Sequence, residues 1–226
     1  MIFDNKTKQK VRKLNHTLYQ VYGSQGWWPT TREPGGQPVY YPGREGRIVS
    51  DHEAFEIITG SVLTQNTSWS NAEKAIMNLS SQNMLGIKKI ATGDDGLLAS
   101  AIIPARYYNQ KSIRLKQIAE NIIKEGGIKT LRSFPTETLR KLLLSWTGIG
   151  QETADSILCY AFSRNIFVVD AYTRRLFHKL NLPSGTYEEI QTLVHQSIKA
   201  SAAKYGDFHA RIVKLYSTGD VKTFLA

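Results

Sequence analysis

The 226-residue chain has a single cysteine, Cys159. One thiol cannot close an internal disulfide, and it cannot supply the four thiolates of a cysteine-ligated iron–sulfur cluster. Cys159 lies in an apolar stretch and reads as a buried structural thiol. Acidic side chains are scarce beside basic ones, 19 Asp and Glu against 29 Lys and Arg, for a formal net charge of +10. That excess favours a polyanionic partner, although basic surfaces also serve other purposes. No apolar run is long enough to cross a bilayer and no secretory signal is evident, so no membrane partner and a cytoplasmic, nucleoid-associated location are expected. Repeats, low-complexity tracts and clusters with metal-ligand spacing are all missing, so no metal site is expected. The chain is 41% hydrophobic, enough for one large domain or two small lobes.

The most informative stretch runs from Leu139 to Arg175. Leu139, Leu142, Leu143 and Trp146 repeat at helical spacing. Thr147-Gly148-Ile149-Gly150 breaks that helix, with two glycines suited to unusual backbone angles and to close approach by another backbone. A second helix starts near Gln151 and includes Thr153, Ala154, Ile157 and Leu158. The first turn of a helix presents backbone N–H groups that suit a phosphate, while Ile149 plugs the core. Asp170 follows the apolar run Ile166-Phe167-Val168-Val169 and precedes a helical segment, which puts it at or near a helix N-cap. It serves either as a cap alone or as a carboxylate held where a cation develops.

This hairpin and the VVDAYTRR segment that follows it resemble the helix–hairpin–helix plus Gly/Pro-rich loop and Asp motif of the endonuclease III superfamily of DNA glycosylases. Gly148-Ile149-Gly150 alone is a common turn; combined with Asp170 at its spacing, the match is specific. The departure is Glu152, which occupies the position where bifunctional members carry a catalytic lysine. Without that Schiff-base nucleophile the usual strand-cleaving lyase step is lost.

Other segments extend the resemblance. An amphipathic helix is expected over 6–22, with Val11, Leu14, Leu18, Val21 and Tyr22 on one side. Trp27-Trp28-Pro29 is either a core cap or a base-stacking wall, and it resembles the segment found in 3-methyladenine DNA glycosylases that lack an iron–sulfur cluster. Residues 30–50 are rich in Pro, Gly and Arg and read as an inserted loop with a short hairpin near Val39. Helices are expected over 51–63 and 69–80. Between them, the resemblance makes Gln65 and Asn66 part of a loop that enters the minor groove, with Gln65 filling the gap left by the base. Trp69 is either core or base contact. Two short helices fill 83–103. Tyr107 is the candidate wedge, with Asn109 as a turn former and Lys111 as a phosphate or solvent contact. Helices then cover 110–125, 128–132 and 187–200, the last opened by a capping box at Thr186. The final helix carries His209, read as a packing histidine, and Arg211, read as facing the cleft.

The resemblance implies an all-α fold: a helical barrel over 51–164 containing the helix–hairpin–helix at about 139–162, and a second lobe of 1–50 plus 165–226, with a DNA-binding cleft. It implies a monomeric, cofactor-free enzyme acting on damaged double-stranded DNA. A flipped alkylated purine such as 3-methyladenine would stack on Trp27, Trp28, Pro29 and Trp69, with Arg211 nearby. Asp170 would stabilise the sugar cation, and Glu152 would be either a second catalytic carboxylate or an exposed helix-dipole partner. Gly148, Ile149, Gly150 and Thr153 would hold the strand. Three alternatives remain open: a glycosylase for oxidised or mismatched bases, a lyase using a displaced lysine, and a non-catalytic helix–hairpin–helix DNA-binding protein.

Overall fold

The computed structural model describes residues 1–225 and is almost entirely helical; among these residues the only β pairing is an isolated bridge between Thr30 and Val39. The chain divides into two compact units. The first comprises Met1–Trp27, Tyr41–Arg47 and the chain from Ser163 onward; the second comprises Trp28–Tyr40 and Ile48–Phe162.

The first unit contains α1 (Asn5–Tyr22), α10 (Ala171–Lys179), α11 (Tyr187–Ser197), α12 (Ala202–Ser217) and α13 (Val221–Leu225). Asp4 caps α1 by accepting from the Thr7 N–H, and Val11, Leu14 and Leu18 turn inward at helical spacing. They share one core with Phe167, Val169, Leu176, Phe177, Ile190, Leu193, Phe208 and Ile212. Helix α11 stops short of residue 200 because Ile198 is extended, and Ser201 then caps α12.

The second unit is built on α2 (Asp51–Leu63), which is buried continuously from Ala54 to Leu63. Phe55, Ile57, Ile58, Val62 and Leu63 supply the apolar surface of this span, Glu56, Thr59 and Ser61 are buried with them, and the start of the helix is secured by a full capping box between Ser50 and Glu53. Around it stand α3 (Trp69–Ser81), α4 (Ile87–Thr92), α5 (Asp95–Ala101), a 3₁₀ turn (Ile103–Ala105), α6 (Tyr108–Lys124), α7 (Ile128–Ser133), α8 (Thr136–Ser145) and α9 (Gln151–Ser156). Helix α9 continues as a π-helical turn over Ile157–Ala161. No periodicity in the sequence announces that widening, which is a single-turn feature of packing.

The sequence places all of 1–50 in one lobe, whereas Trp28–Tyr40 groups with the second unit. Buried Glu56 on α2 explains the difference: it accepts from the Thr31 N–H and hydroxyl, both at 2.8 Å. Glu53 accepts from the Thr30 hydroxyl at 3.0 Å, and Gly35 donates to Ser80. The inserted segment is therefore bound to helices rather than loose.

Candidate active site

In the first unit the buried run Ile166–Val169 carries the chain to the start of α10, where Asp170 is the N-cap. Its Oδ1 accepts from the Thr173 N–H at 2.7 Å. Its Oδ2 lies 3.5 Å from Nε2 of His209, which projects from α12. Burial by itself raises the Asp170 carboxyl, but His209 and the Thr173 donors together outweigh it and hold the group below the usual carboxylate range. The product is a fixed anion, only 8% exposed.

Read from sequence as packing, His209 is instead the side chain that faces the acid. Arg211 is the converse case. Two residues along a helix rotate a side chain by about 200°, so Arg211 leaves α12 on the side away from His209 and Asp170. It is buried, pairs with Asp207 on the same helix, donates to Asn15 Oδ1 of α1 at 2.7 Å and lies over the Tyr19 ring. The expectation that Arg211 faces a base beside Asp170 is corrected by this orientation.

In the second unit α8 and α9 form the hairpin. Gly148 has φ +83°, a conformation that L side chains avoid, and a Cβ there would stand 2.6 Å from Arg114 Cδ. Ile149 is buried, as its position between the glycines predicts. Gly150 has an ordinary φ of −94°, and nothing lies within 4 Å of where its Cβ would be. The fold thus leaves open space beside this residue at the start of α9. Arg140 of α8 grips the buried Asp155 of α9 with two bonds, Nε to Oδ1 at 2.7 Å and Nη2 to Oδ2 at 3.1 Å. This fork ties the two hairpin helices together and has no signature in the sequence. Glu152 is exposed in the first turn of α9, and Thr153 is buried.

A cavity of about 400 Å³ opens beside the hairpin, lined by Gln65, Asn66, Arg114, Gly148–Gly150, Glu152 and Thr153. The Gln65 amide is engaged here: Nε2 donates to Gly148 O at 2.9 Å and to Thr153 Oγ1 at 3.0 Å, while Arg114 donates to Oε1. The exposed tip of this loop is Asn66, at φ +54°, in place of the protruding Gln65 that the sequence suggests. Tyr107 stands 62% exposed in the left-handed region at φ +46°. Asn109 is exposed inside the first turn of α6 and not in a turn before it. Lys111 requires the largest correction. It is 1% exposed, and its ammonium donates to the carbonyls of Leu63, Gln65 and Ala105, each at 2.7 Å. All three N–H groups are used, so none remains for a phosphate.

The aromatic residues separate by burial. Trp28 is buried, edge-on to Trp69 at 5.5 Å and tilted against Tyr160 at 5.4 Å. Its ring presses on α2 so closely that a Cβ on Gly60 would lie 3.1 Å away. Tyr160 comes from the π turn and was not singled out by the sequence. Trp69 is half-buried, Pro29 is buried, and the half-buried Trp27 groups with the first unit. Tyr40, beside Glu73 and Trp69, has its phenol pushed up to about 12 by burial and by the Glu73 charge. Among the described residues no group of three or more His, Cys, Asp and Glu side chains is placed to hold a metal ion, and no helix is long and apolar enough to cross a membrane.

Comparison with known proteins bears on this arrangement. Residues 59–200 match the family model of the HhH-GPD superfamily base excision DNA repair proteins. A relative from Methanocaldococcus jannaschii named "Putative DNA repair glycosylase" is 36% identical over 211 residues, covering 91% of this chain and 86% of its own. The crystal structure of the Helicobacter pylori 3-methyladenine DNA glycosylase bound to 1,N6-ethenoadenine superposes with a TM-score of 0.73 at 27% identity, covering 94% of this chain and 98% of that one. A non-covalent endonuclease III–DNA complex shares the fold, with a TM-score of 0.70 at 16% identity over 95% of this chain and 86% of that one. The Gly148–Gly150 hairpin and Asp170 both fall inside the matched span, and on that footing the chain belongs to the HhH-GPD superfamily of base excision DNA repair proteins.

Proposed function

We propose that this DNA glycosylase is monofunctional and removes alkylated purines such as 3-methyladenine from damaged duplex DNA, working as a monomer, without a cofactor, in the nucleoid. The observation that carries the reading is the buried carboxylate of Asp170, held ionised beside His209, in a chain with Glu152 at the lysine position of the hairpin. The Helicobacter pylori relative named for 3-methyladenine supports the substrate class.

The chemistry follows from charge. A base must leave the stack before its glycosidic bond can be reached, at a cost of a few kcal/mol. An N3- or N7-alkylated purine is already cationic. When its C1′–N bond breaks, the electron pair goes to the base, which leaves neutral, and the sugar becomes an oxocarbenium ion. Asp170 stabilises that ion electrostatically. Its low pKa makes it a poor base, which is sufficient here: water added to C1′ of a cation carries a strongly acidic proton that passes readily to Asp170 and solvent. Trp69, edge-on to Trp28, attracts the cationic base by stacking and cation–π interaction, roughly 0.5–2 kcal/mol per contact. The hairpin at Gly148–Thr153 holds the strand through backbone donors and the positive end of α9, and Asn66 and Tyr107 fill and part the duplex. Glu152 cannot form the imine on which lyase activity depends.

Base release from methylated duplex DNA, run in parallel with borohydride trapping, tests this reading. Release of 3-methyladenine without a trapped complex is expected. A trapped complex overturns the monofunctional assignment, and release of only oxidised or mismatched bases overturns the substrate class.

A further inference from the structure

Lys111 is a buried cation bonded to no acidic side chain among the described residues, and the mechanism above does not use it. We propose that Lys111 is a positioning residue that locks the 64–67 loop and the Arg106-Tyr107 turn to each other, so that Asn66 and Tyr107 meet duplex DNA as one rigid element. This rests on the glycosylase reading for its purpose, though not for its geometry.

Three features carry the inference. The first is connectivity. The Leu63 and Gln65 carbonyls lie at and just past the end of α2, where helix carbonyls lack intrahelical partners, and the Ala105 carbonyl ends the 3₁₀ turn before the wedge candidate. A single ammonium joins these segments, which are about 40 residues apart in sequence, and its three donors match the three acceptors.

The second feature is strain. Arg106 (φ +58°, ψ 163°) and Tyr107 (φ +46°, ψ 31°) are consecutive non-glycine residues at positive φ. Such conformations persist when their surroundings over-determine them. Lys111 brackets the pair: its ammonium holds the Ala105 carbonyl on one side, and its own N–H holds the Tyr107 carbonyl at 3.0 Å on the other. The third feature is what the turn displays. Tyr107 is 62% exposed with no side-chain cap bond, so an aromatic ring is presented on a backbone that cannot relax. A preordered wedge loses less conformational entropy on entering DNA than a mobile one. An apolar side chain of similar length could fill the same volume without desolvating a charge, but it could not tie two loops together.

The test compares wild type, Lys111→Met and the milder Lys111→Gln, which retains two donors. Hydrogen exchange is read at amides of 64–67 and 105–108. In wild type the two segments are expected to open together, with protection within ten-fold of each other. In Lys111→Met both should lose protection in parallel while the 139–156 hairpin keeps its own. Base release is then measured from a duplex and from an oligonucleotide with the same lesion in a single-base bulge, where no opposite base has to be displaced. Release from the duplex should fall at least ten-fold and release from the bulge less than two-fold, with Lys111→Gln intermediate. Independent exchange of the two loops, or equal losses on both substrates, overturns the proposal. If Lys111→Met does not fold, wild-type exchange and Lys111→Gln decide. If wild type releases no base from any DNA, the glycosylase reading fails while exchange still judges the coupling.

Discussion

Around Asp170 in the first unit and around Lys111 in the second, a charged side chain is enclosed by protein, at 8% and 1% exposure respectively. Burial penalises both charges, and the surroundings answer differently. Asp170 faces His209 and a helix-start N–H, which together overcome desolvation and keep it anionic. For Lys111, burial and then the nearby Arg114 charge prevail over the three carbonyls it bonds, so its ammonium is drawn down to about 8. The first site preserves a charge for use on something that comes to it. The second uses up its donors inside the protein, and what it delivers is geometry.

The strongest way to break this contrast is Asp170→Asn. It should reduce base release by about 10³-fold or more in single-turnover assays, while affinity for lesion duplex stays within several-fold. Unchanged release would remove Asp170 from the chemistry and leave it a helix cap.

Lys111 should leave a mark on stability with a defined sign. Its folded value of about 8 lies below the ordinary 10.5. Between those values the unfolded chain binds more protons, so stability should increase as pH rises through that window. Urea midpoints of wild type and Lys111→Met, measured at pH 7 and pH 9.5, should show this rise in wild type and lose it in the variant; the same slope in both would contradict the buried-cation account.

His209→Gln sharpens the other half. Without the histidine, burial prevails and the Asp170 carboxyl should rise, moving the acid limb of the release profile toward neutral pH. For stability the sign is the reverse of Lys111. A depressed carboxyl stabilises the fold above its unfolded value, and that contribution is lost as pH falls through the folded one. Acid unfolding of His209→Gln should therefore begin at higher pH than in wild type, and coincident acid transitions would refute the coupling.

The smallest effect is expected at Gly150, where no protein atom needs the absent side chain. Gly150→Ala should alter stability by under about 1 kcal/mol, yet weaken duplex binding several-fold if a DNA backbone occupies the open space. Binding equal to wild type would mean that the strand passes elsewhere.

Much of this protein was legible from local chemistry. The hairpin glycines, the helix start at Asp170 and the apolar spacing along α1 and α8 act within a few residues, so the sequence displays them directly. The single cysteine and the glutamate at position 152 likewise needed no coordinates. Partners distant along the chain were not legible. Lys111 looked like a surface cation because its three acceptors lie at Leu63, Gln65 and Ala105. His209 passed for packing, and Arg211 for a cleft residue, because the turn of α12 relative to α1 and Asp170 is set by core packing. Arg140 with Asp155, and Tyr160 on its π turn beside Trp28, depend on helix placement in the same way. The sequence by itself determined which helices form, where they start and what chemistry the motif offers, since propensity and capping act over one or two turns. Only the tertiary structure decided which charges are buried and what they face, because burial and partner choice depend on how distant segments pack.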